Sequence, residues 1–234
     1  QTCALPISHK VAEQDGALRM ASGQAFYNTS EFTLATLSSS GQGQRLRDNF
    51  VDYLDGFSPN VQDILAKFKF RDQIQTMVEA DILGHLINDF LDPEVNLSPL
   101  PVKDTDGRIK LPALDNHGMG TVFEELIRRF NEENNEEAGE HFTPRAVVQL
   151  MANLLFLPVA DKIQSGTYLM YDGSCGTGGM LTVAEEALHD LAASHNKEVS
   201  IHLFGQEINP ETYAICKADL LLKGEGDEAE NIVG

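Results

Sequence analysis

The sequence predicts an α + α/β protein: a helical N-terminal domain followed by the first part of an open parallel sheet that this chain leaves incomplete. Three observations predict it. Apolar residues recur at three- and four-residue intervals from Leu46 to Phe130, the spacing of one helix face. From Thr143 onward, helix-length patterns alternate with two short apolar runs, Tyr168 to Tyr171 and Ile201 to Phe204, as in strands joined by crossover helices. The first run ends in Asp172 and enters a loop holding Gly173, Gly176, Gly178 and Gly179, which opens onto another helical pattern. Two strands do not complete an open sheet, so the sequence reads as cut short or as dependent on another segment for the rest.

Each element follows from its residues. Residues 1–45 read as a flexible or partly ordered lead, in which Ser38-Ser39-Ser40-Gly41-Gln42-Gly43-Gln44 is a flexible connection. The helical domain, 46–130, starts with Leu46, Phe50, Tyr53 and Leu54 on one face. Gly56-Phe57-Ser58-Pro59 interrupts it, with Ser58 placed to cap the next helix and Pro59 to start it. Val61, Ile64, Leu65 and Phe68 form the next stripe. Ile74, Met77 and Val78, then Ile82, Leu83, Leu86, Ile87 and Phe90, continue it. Asp92-Pro93 marks a break, and residues 93–115, with four prolines, read as a loop. Val122, Phe123, Leu126, Ile127 and Phe130 make the last helix face, and 131–142 is an acidic linker.

In the second domain, 143–234, Thr143 can cap and Pro144 can begin a helix lined by Val147, Leu150, Met151, Leu154 and Leu155, which Pro158 ends. Met180, Leu181, Ala184, Ala187, Leu188 and Leu191 build the helix after the first strand. After the second strand Asn209 caps, Pro210 starts, and Ala214, Ile215, Ala218, Leu221 and Leu222 fill a helix that stops at Gly224.

Composition excludes several classes. With 234 residues, 42% of them hydrophobic, the chain can build a core. No apolar run is long enough to span a bilayer, so no membrane partner is expected. Gln1-Thr2-Cys3-Ala4-Leu5-Pro6-Ile7 lacks the basic flank and apolar run of a signal peptide. Cys3, Cys175 and Cys216 are too far apart for a metal-ligand pattern or a disulfide framework, which fits a reducing cytoplasm. A net charge of −19 opposes clamping of a polyanion by the surface as a whole.

The glycine loop carries the most chemistry. Glycines let backbone amides approach a ligand where a Cβ would collide, and a helix start adds unpaired N–H groups and a positive dipole end. It is not a phosphate loop, because Gly179 and Met180 follow Gly178 where lysine and a hydroxyl residue are needed. It is not the dinucleotide fingerprint, because Leu181 stands at the third glycine position. The strand, acid and glycine pattern resembles the first motif of S-adenosylmethionine-dependent methyltransferases; taken alone it is also compatible with a tight strand-to-helix turn.

Two further elements bear on it. The second strand ends in Phe204-Gly205-Gln206-Glu207-Ile208-Asn209-Pro210. In an open parallel sheet ligands bind beyond the carboxyl ends of the strands, so Glu207 can accept ribose hydroxyls and Ile208 can lie against adenine. Without a ligand, Glu207 would simply favour a helix N-terminus. In Glu140-His141-Phe142-Thr143-Pro144-Arg145, Thr143 and the helix start offer donors to an anion, Arg145 adds charge, and Phe142 can pack on a cofactor. Alone, that run is an ordinary capped helix start, and His141 an ordinary surface histidine.

Together, Gly120 to Ile127, Glu140 to Arg145, Asp172 to Gly179 and Gly205 to Pro210 resemble the modification (methyltransferase, M) subunit of type I restriction–modification systems, within the N6-adenine DNA methyltransferases. The resemblance runs from about Asp52 to Gly234. It implies a Rossmann-like, S-adenosylmethionine-dependent methyltransferase sheet preceded by a helical domain. It implies that Glu140 to Arg145 border the methionine end, that Asp172, Gly173, Gly176, Thr177, Gly178 and Gly179 hold the methionine moiety, and that Glu207 with Ile208 takes the nucleoside. It implies double-stranded DNA, a specificity subunit, a second modification subunit and a restriction subunit as partners. The family aligns the target amine with an Asn/Asp-Pro-Pro-aromatic tetrapeptide. No Asn-Pro-Pro occurs here, and Asn209-Pro210-Glu211 is the nearest string. The expectation is an N-terminal part of the subunit, holding most of the cofactor pocket, with no catalytic residue of its own and no methylation by itself. The alternative is a non-catalytic module that docks partner subunits.

Overall fold

The structure, a computed structural model, describes residues 14–98, 100–114 and 145–234, together with positions 118, 121, 122, 125, 126, 128, 129 and 143. The chain divides into two compact units, Gln1–Met119 and Gly120–Gly234. The 131–142 segment expected as the linker lies outside the described residues.

The first unit is helical: α1 over 14–22, α2 (Leu34–Ser38), α3 (Gln44–Asp55), α4 (Pro59–Lys67), α5 (Phe70–Glu79) and α6 (Leu83–Phe90). Its core gathers Leu37, Leu46, Phe50, Leu54, Ile74, Leu83 and Ile87. Leu37 belongs to the segment expected as a lead, and it is fully buried. Thr33 and Thr36 exchange a reciprocal capping box that starts α2. The serine- and glycine-rich run that follows is a tight turn, because its hydroxyls find partners: Ser38 Oγ donates to Asn88 Oδ1 at 2.6 Å and Ser40 Oγ to the Leu37 carbonyl at 2.9 Å. Ser58 sits at the N-cap of α4 without capping it, since its hydroxyl donates to Asn60 Oδ1 instead. On α6 the expected stripe splits: Leu83 and Ile87 are buried while Ile82, Leu86 and Phe90 are exposed. A short antiparallel hairpin, β1 (Val102–Lys103) and β2 (Ile109–Leu111), lies in the proline-containing stretch expected as a loop.

The second unit carries α7 (Arg145–Phe156), a 3₁₀ turn (Leu157–Lys162), β3 (Gly166–Asp172), α8 (Gly179–Ser194), β4 (Val199–Gln206), α9 (Pro210–Lys223), α10 (Gly226–Glu230) and β5 (Ile232–Val233). The three strands form a parallel sheet in the order β3-β4-β5. β3 and β4 run in register from Gly166 opposite Val199 to Asp172 opposite Gly205. Asn209 caps α9 through its side chain, Pro210 starts it, and Gly224 ends it with a left-handed φ of 85°.

In the second unit two features depart from the sequence expectation. A third strand exists: β5 pairs Ile232 and Val233 with Gly205 and Gln206. Beyond this short pairing, the Glu228 carboxylate takes over the strand edge, accepting the Leu203 N–H at 2.7 Å and meeting His202 Nδ1 at 3.1 Å. In α7 the buried residues are Val148 and Ala152, whereas Leu150, Leu154 and Leu155 are exposed within this unit. The helix is apolar on nearly every side, so periodicity does not select a face. The small side chain of Ala152 suits close packing of α7 and α8.

Candidate functional site

β3 delivers Asp172 to the end of the sheet, and the chain turns sharply there. Asp172 Oδ1 accepts the Ser174 N–H at 3.0 Å, an Asx turn that starts the loop. The loop is then tied to the β4 tip: the Cys175 N–H donates to the Gln206 carbonyl at 3.0 Å and the Gly176 N–H donates to Glu207 Oε2 at 2.9 Å. The sequence requirement is steric. Gly178 has φ +85°, and a Cβ there would stand 2.7 Å from Cys216 Sγ. At Gly205 a Cβ would stand 2.8 Å from Ile232 Cδ1 and 2.9 Å from Cys175 Sγ. Loop, strand and α9 therefore approach more closely than any side chain would permit.

The second tip is built on β5 and α9. The Glu207 N–H donates to the Val233 carbonyl at 2.9 Å. Glu207 Oε1 accepts the Asn209 N–H at 2.7 Å, and Asn209 Oδ1 accepts the Glu211 N–H at 2.9 Å as the α9 cap. Each Glu207 oxygen thus carries one backbone N–H. A carboxylate has about four lone-pair sites, so both oxygens keep the capacity to accept a hydroxyl each.

Both tips open on one cavity of about 500 Å³. Asp172, Ser174, Cys175, Gly176 and Thr177 form its loop side, with Gly179 and Met180 from the start of α8. Glu207, Asn209 and Thr212 form the opposite side, and Thr143 with Val148 and Met151 of α7 completes the lining. Of the residues nominated from sequence, Thr143, Asp172, Gly176, Thr177, Gly179 and Glu207 meet here. Gly173 and Gly178 shape the loop without lining the cavity.

Ile208, expected against a base, is 94% exposed and outside the described lining, because β4 has ended and the Asn209 cap turns position 208 outward. Glu140, His141, Phe142 and Pro144 lie outside the described residues; Arg145 opens α7, and its side chain is likewise outside them. Val148, Met151, Met180, Cys175 and Thr212 were not nominated. Met180 could have been, as the residue next to the last loop glycine. Val148 could not, since nothing in the α7 pattern distinguishes it from Val147.

The electrostatics favour a cationic ligand with vicinal hydroxyls over a phosphate, because two carboxylates converge on the cavity. Below it Cys175 and Cys216 are both buried free thiols. A hydrogen bond from Cys216 holds the Cys175 thiol below its ordinary pKa; the same bond, together with burial, pushes Cys216 up.

A family model described as N-6 DNA Methylase matches residues 114–233, more than half of the chain and the whole of the described cavity. The chain belongs to that family. It is similar to the type I restriction enzyme HindI methylase subunit of Haemophilus influenzae, 26% identical over 106 residues, 45% of this chain and 21% of the relative. It is similar to the type I restriction enzyme EcoEI methylase subunit of Escherichia coli, 25% identical over 168 residues, 70% of this chain and 29% of the relative. The chain thus spans less than a third of the length of these two relatives. Its fold is similar to that of the type I restriction-modification system methyltransferase subunit from Streptococcus thermophilus, with a TM-score of 0.50 at 19% identity, covering 86% of this chain and 39% of the other. Among the described residues of this family member, no helix is long and apolar enough to cross a membrane.

Proposed function

We propose that this chain is the cofactor-holding part of the modification subunit of a type I restriction–modification system, and that the cavity of its second unit takes S-adenosylmethionine for methylation of adenine N6 in DNA. The observation that carries the reading is the Gly176 N–H to Glu207 hydrogen bond, which joins the glycine loop to the second strand tip beside one cavity. The residues present fit the cofactor: a sulfonium and an ammonium need anionic neighbours, a ribose diol needs paired acceptors, and a methionine chain needs open backbone. Asp172 would hold the cationic aminoacyl end, Glu207 the ribose hydroxyls, and Gly176, Thr177 and Gly179 would let the backbone approach. The Glu140 to Arg145 run would border the methionine end. When bound, S-adenosylmethionine supplies an electrophilic methyl group; this chain's own residues orient it and exclude water from one side.

The Asn/Asp-Pro-Pro-aromatic string that would orient the adenine amine does not occur in the 234 residues, so the reading assigns them cofactor binding rather than methyl transfer by themselves. Target adenine would be flipped from double-stranded DNA. The −19 charge leaves the grip on DNA to a specificity subunit, a second modification subunit and, in the restricting assembly, a restriction subunit.

Titration calorimetry with S-adenosylmethionine tests the reading. Heat that saturates with the native chain and is lost in Asp172→Ala and Glu207→Ala is the expected result. Equal heat in both variants would remove the cavity from the account and leave a subunit-docking role.

A further inference from the structure

We propose that the side-chain amide of Asn209 reads the base of the cofactor, donating a hydrogen bond to ring nitrogen N3 of adenine. The inference rests on the cofactor reading above and deepens it, naming the group that makes the cavity selective for an adenine nucleoside.

The helix that Asn209 caps fixes the orientation of its amide. Asn209 Oδ1 accepts the Glu211 N–H at 2.9 Å and the Thr212 N–H at 3.3 Å. Two donors on one atom identify it as the oxygen, so the nitrogen of the same planar group points away from those amides. Among the described residues that nitrogen has no hydrogen-bond partner. Asn209 lines the cavity. Capping does not account for this nitrogen, because aspartate and serine cap about as well and bring no amide donor.

The neighbours on that side leave the role to Asn209. Glu207 only accepts, and the Thr212 hydroxyl is committed to the Asn209 carbonyl at 3.3 Å. Asn209 is then the one side-chain donor on the Glu207 side among the described lining residues. Ile208 is turned outward and does not hold the base. Val148, Met151 and Met180 offer apolar surface to a ring face, which does not tell one base from another. The bonding of the ligand selects the atom. Glu207 Oε1 accepts the Asn209 N–H at 2.7 Å, so a ribose held at Glu207 by its two hydroxyls lies next to Asn209. The base is joined to the ribose carbon beside those hydroxyls, and N3 is the base acceptor nearest that bond. In guanine an amino group stands beside N3 and would meet this donor with another donor, so the same contact disfavours guanosine.

The test is titration calorimetry of the 234-residue chain with S-adenosylmethionine and with its 3-deaza analogue, in which a C–H replaces N3. The 7-deaza analogue, altered on the far edge of the base, is the control. The native chain should bind the 3-deaza compound about fivefold more weakly than the parent, and the 7-deaza compound about as tightly as the parent. Asn209→Asp and Asn209→Ser keep an oxygen for the cap, so their urea melts should follow that of the native chain. Asn209→Ser should bind the parent about fivefold more weakly than the native chain does. Both variants should lose the preference for the parent over the 3-deaza compound. That ratio compares two ligands of equal charge in one protein, so the charge brought by aspartate cancels. Equal binding of parent and 3-deaza compound by the native chain would overturn the proposal, and so would a preference that survives in both variants. If the native chain binds the two equally but loses both in Glu207→Ala, the cofactor reading stands without the Asn209 contact. A native chain that binds none of the three would overturn the cofactor reading and this proposal with it.

Discussion

The tips of β3 and β4 each carry one carboxylate, and the two are used differently. Asp172 turns back on its own loop, accepting an N–H two residues on. Glu207 reaches across the sheet, accepting from Gly176, 31 residues away in sequence, while its other oxygen accepts from Asn209. The first contact is local and needs a single side-chain oxygen, which an amide also provides. The second ties loop to strand and needs two acceptors at once, which only a carboxylate provides. The same chemistry in one sheet therefore divides: the Asp172 contact stays within its own loop, whereas Glu207 holds that loop to the β4 tip.

Substitutions should separate those roles. The largest effect is expected for Glu207→Ala, which leaves two backbone donors without their charged acceptor; urea melts should show stability lower by about 2–3 kcal/mol, with S-adenosylmethionine affinity lower by at least about a hundredfold. A stability change too small to measure would erase the contrast between the tips. Asp172→Asn keeps the Ser174 contact, so its stability should stay within about 0.5 kcal/mol of native while affinity falls about tenfold. A melt shifted as far as that of Glu207→Ala would make the two tips equivalent.

A smaller effect tests what lies behind the second tip. Glu225 precedes α10, which leads into the β5 strand that anchors Glu207. Its carboxyl is pushed up to about 7 by burial first and then by Glu185 of α8, with Asp219 of α9 and Glu228 of α10 adding to the rise and Lys223 of α9 opposing it. The folded chain thus holds this proton where the unfolded chain releases it. The associated stability is full below an unfolded value of 4.5 and is lost as pH rises to about 7. After discounting for partial exposure, the loss should be about 1–2 kcal/mol between about pH 4.5 and pH 7. Glu225→Gln should flatten that slope in urea melts; an unchanged slope would assign it to another group. The smallest effect is expected for Asn209→Ala, which removes the α9 cap at a cost of about 1 kcal/mol. Cofactor affinity should fall far less than in Glu207→Ala, because the backbone N–H on Glu207 survives the change although Asn209 lines the cavity.

Legibility in the sequence followed the same divide between local and distant causes. Asp172, the glycine loop and the Asn209-Pro210 helix start could be read because each is set by neighbouring residues. Leu46, Phe50 and Leu54 were legible because, apart from Val51 and Tyr53 at the margin of the same cluster, polar residues fill the rest of α3. The buried side of α7 was not, since a helix apolar all round has its contacts chosen by what packs on it. β5 was not legible either: Ile232 and Val233 are too few to alternate, and their strand conformation comes from pairing with Gly205 and Gln206. Ile208 illustrates the converse. It adjoins Glu207, which lines the cavity, but one step beyond a strand end reverses direction.

The carboxylate of Glu228, seated where β5 stops short of Leu203, also bears on self-association. An open run of amide hydrogens along a sheet invites a neighbouring molecule to add its own backbone there. A charged stopper occupying that position fills the hydrogen-bonding vacancy and repels an equally acidic sister molecule. Along this border, a single side chain occupies the Leu203 amide that would otherwise be open to such pairing.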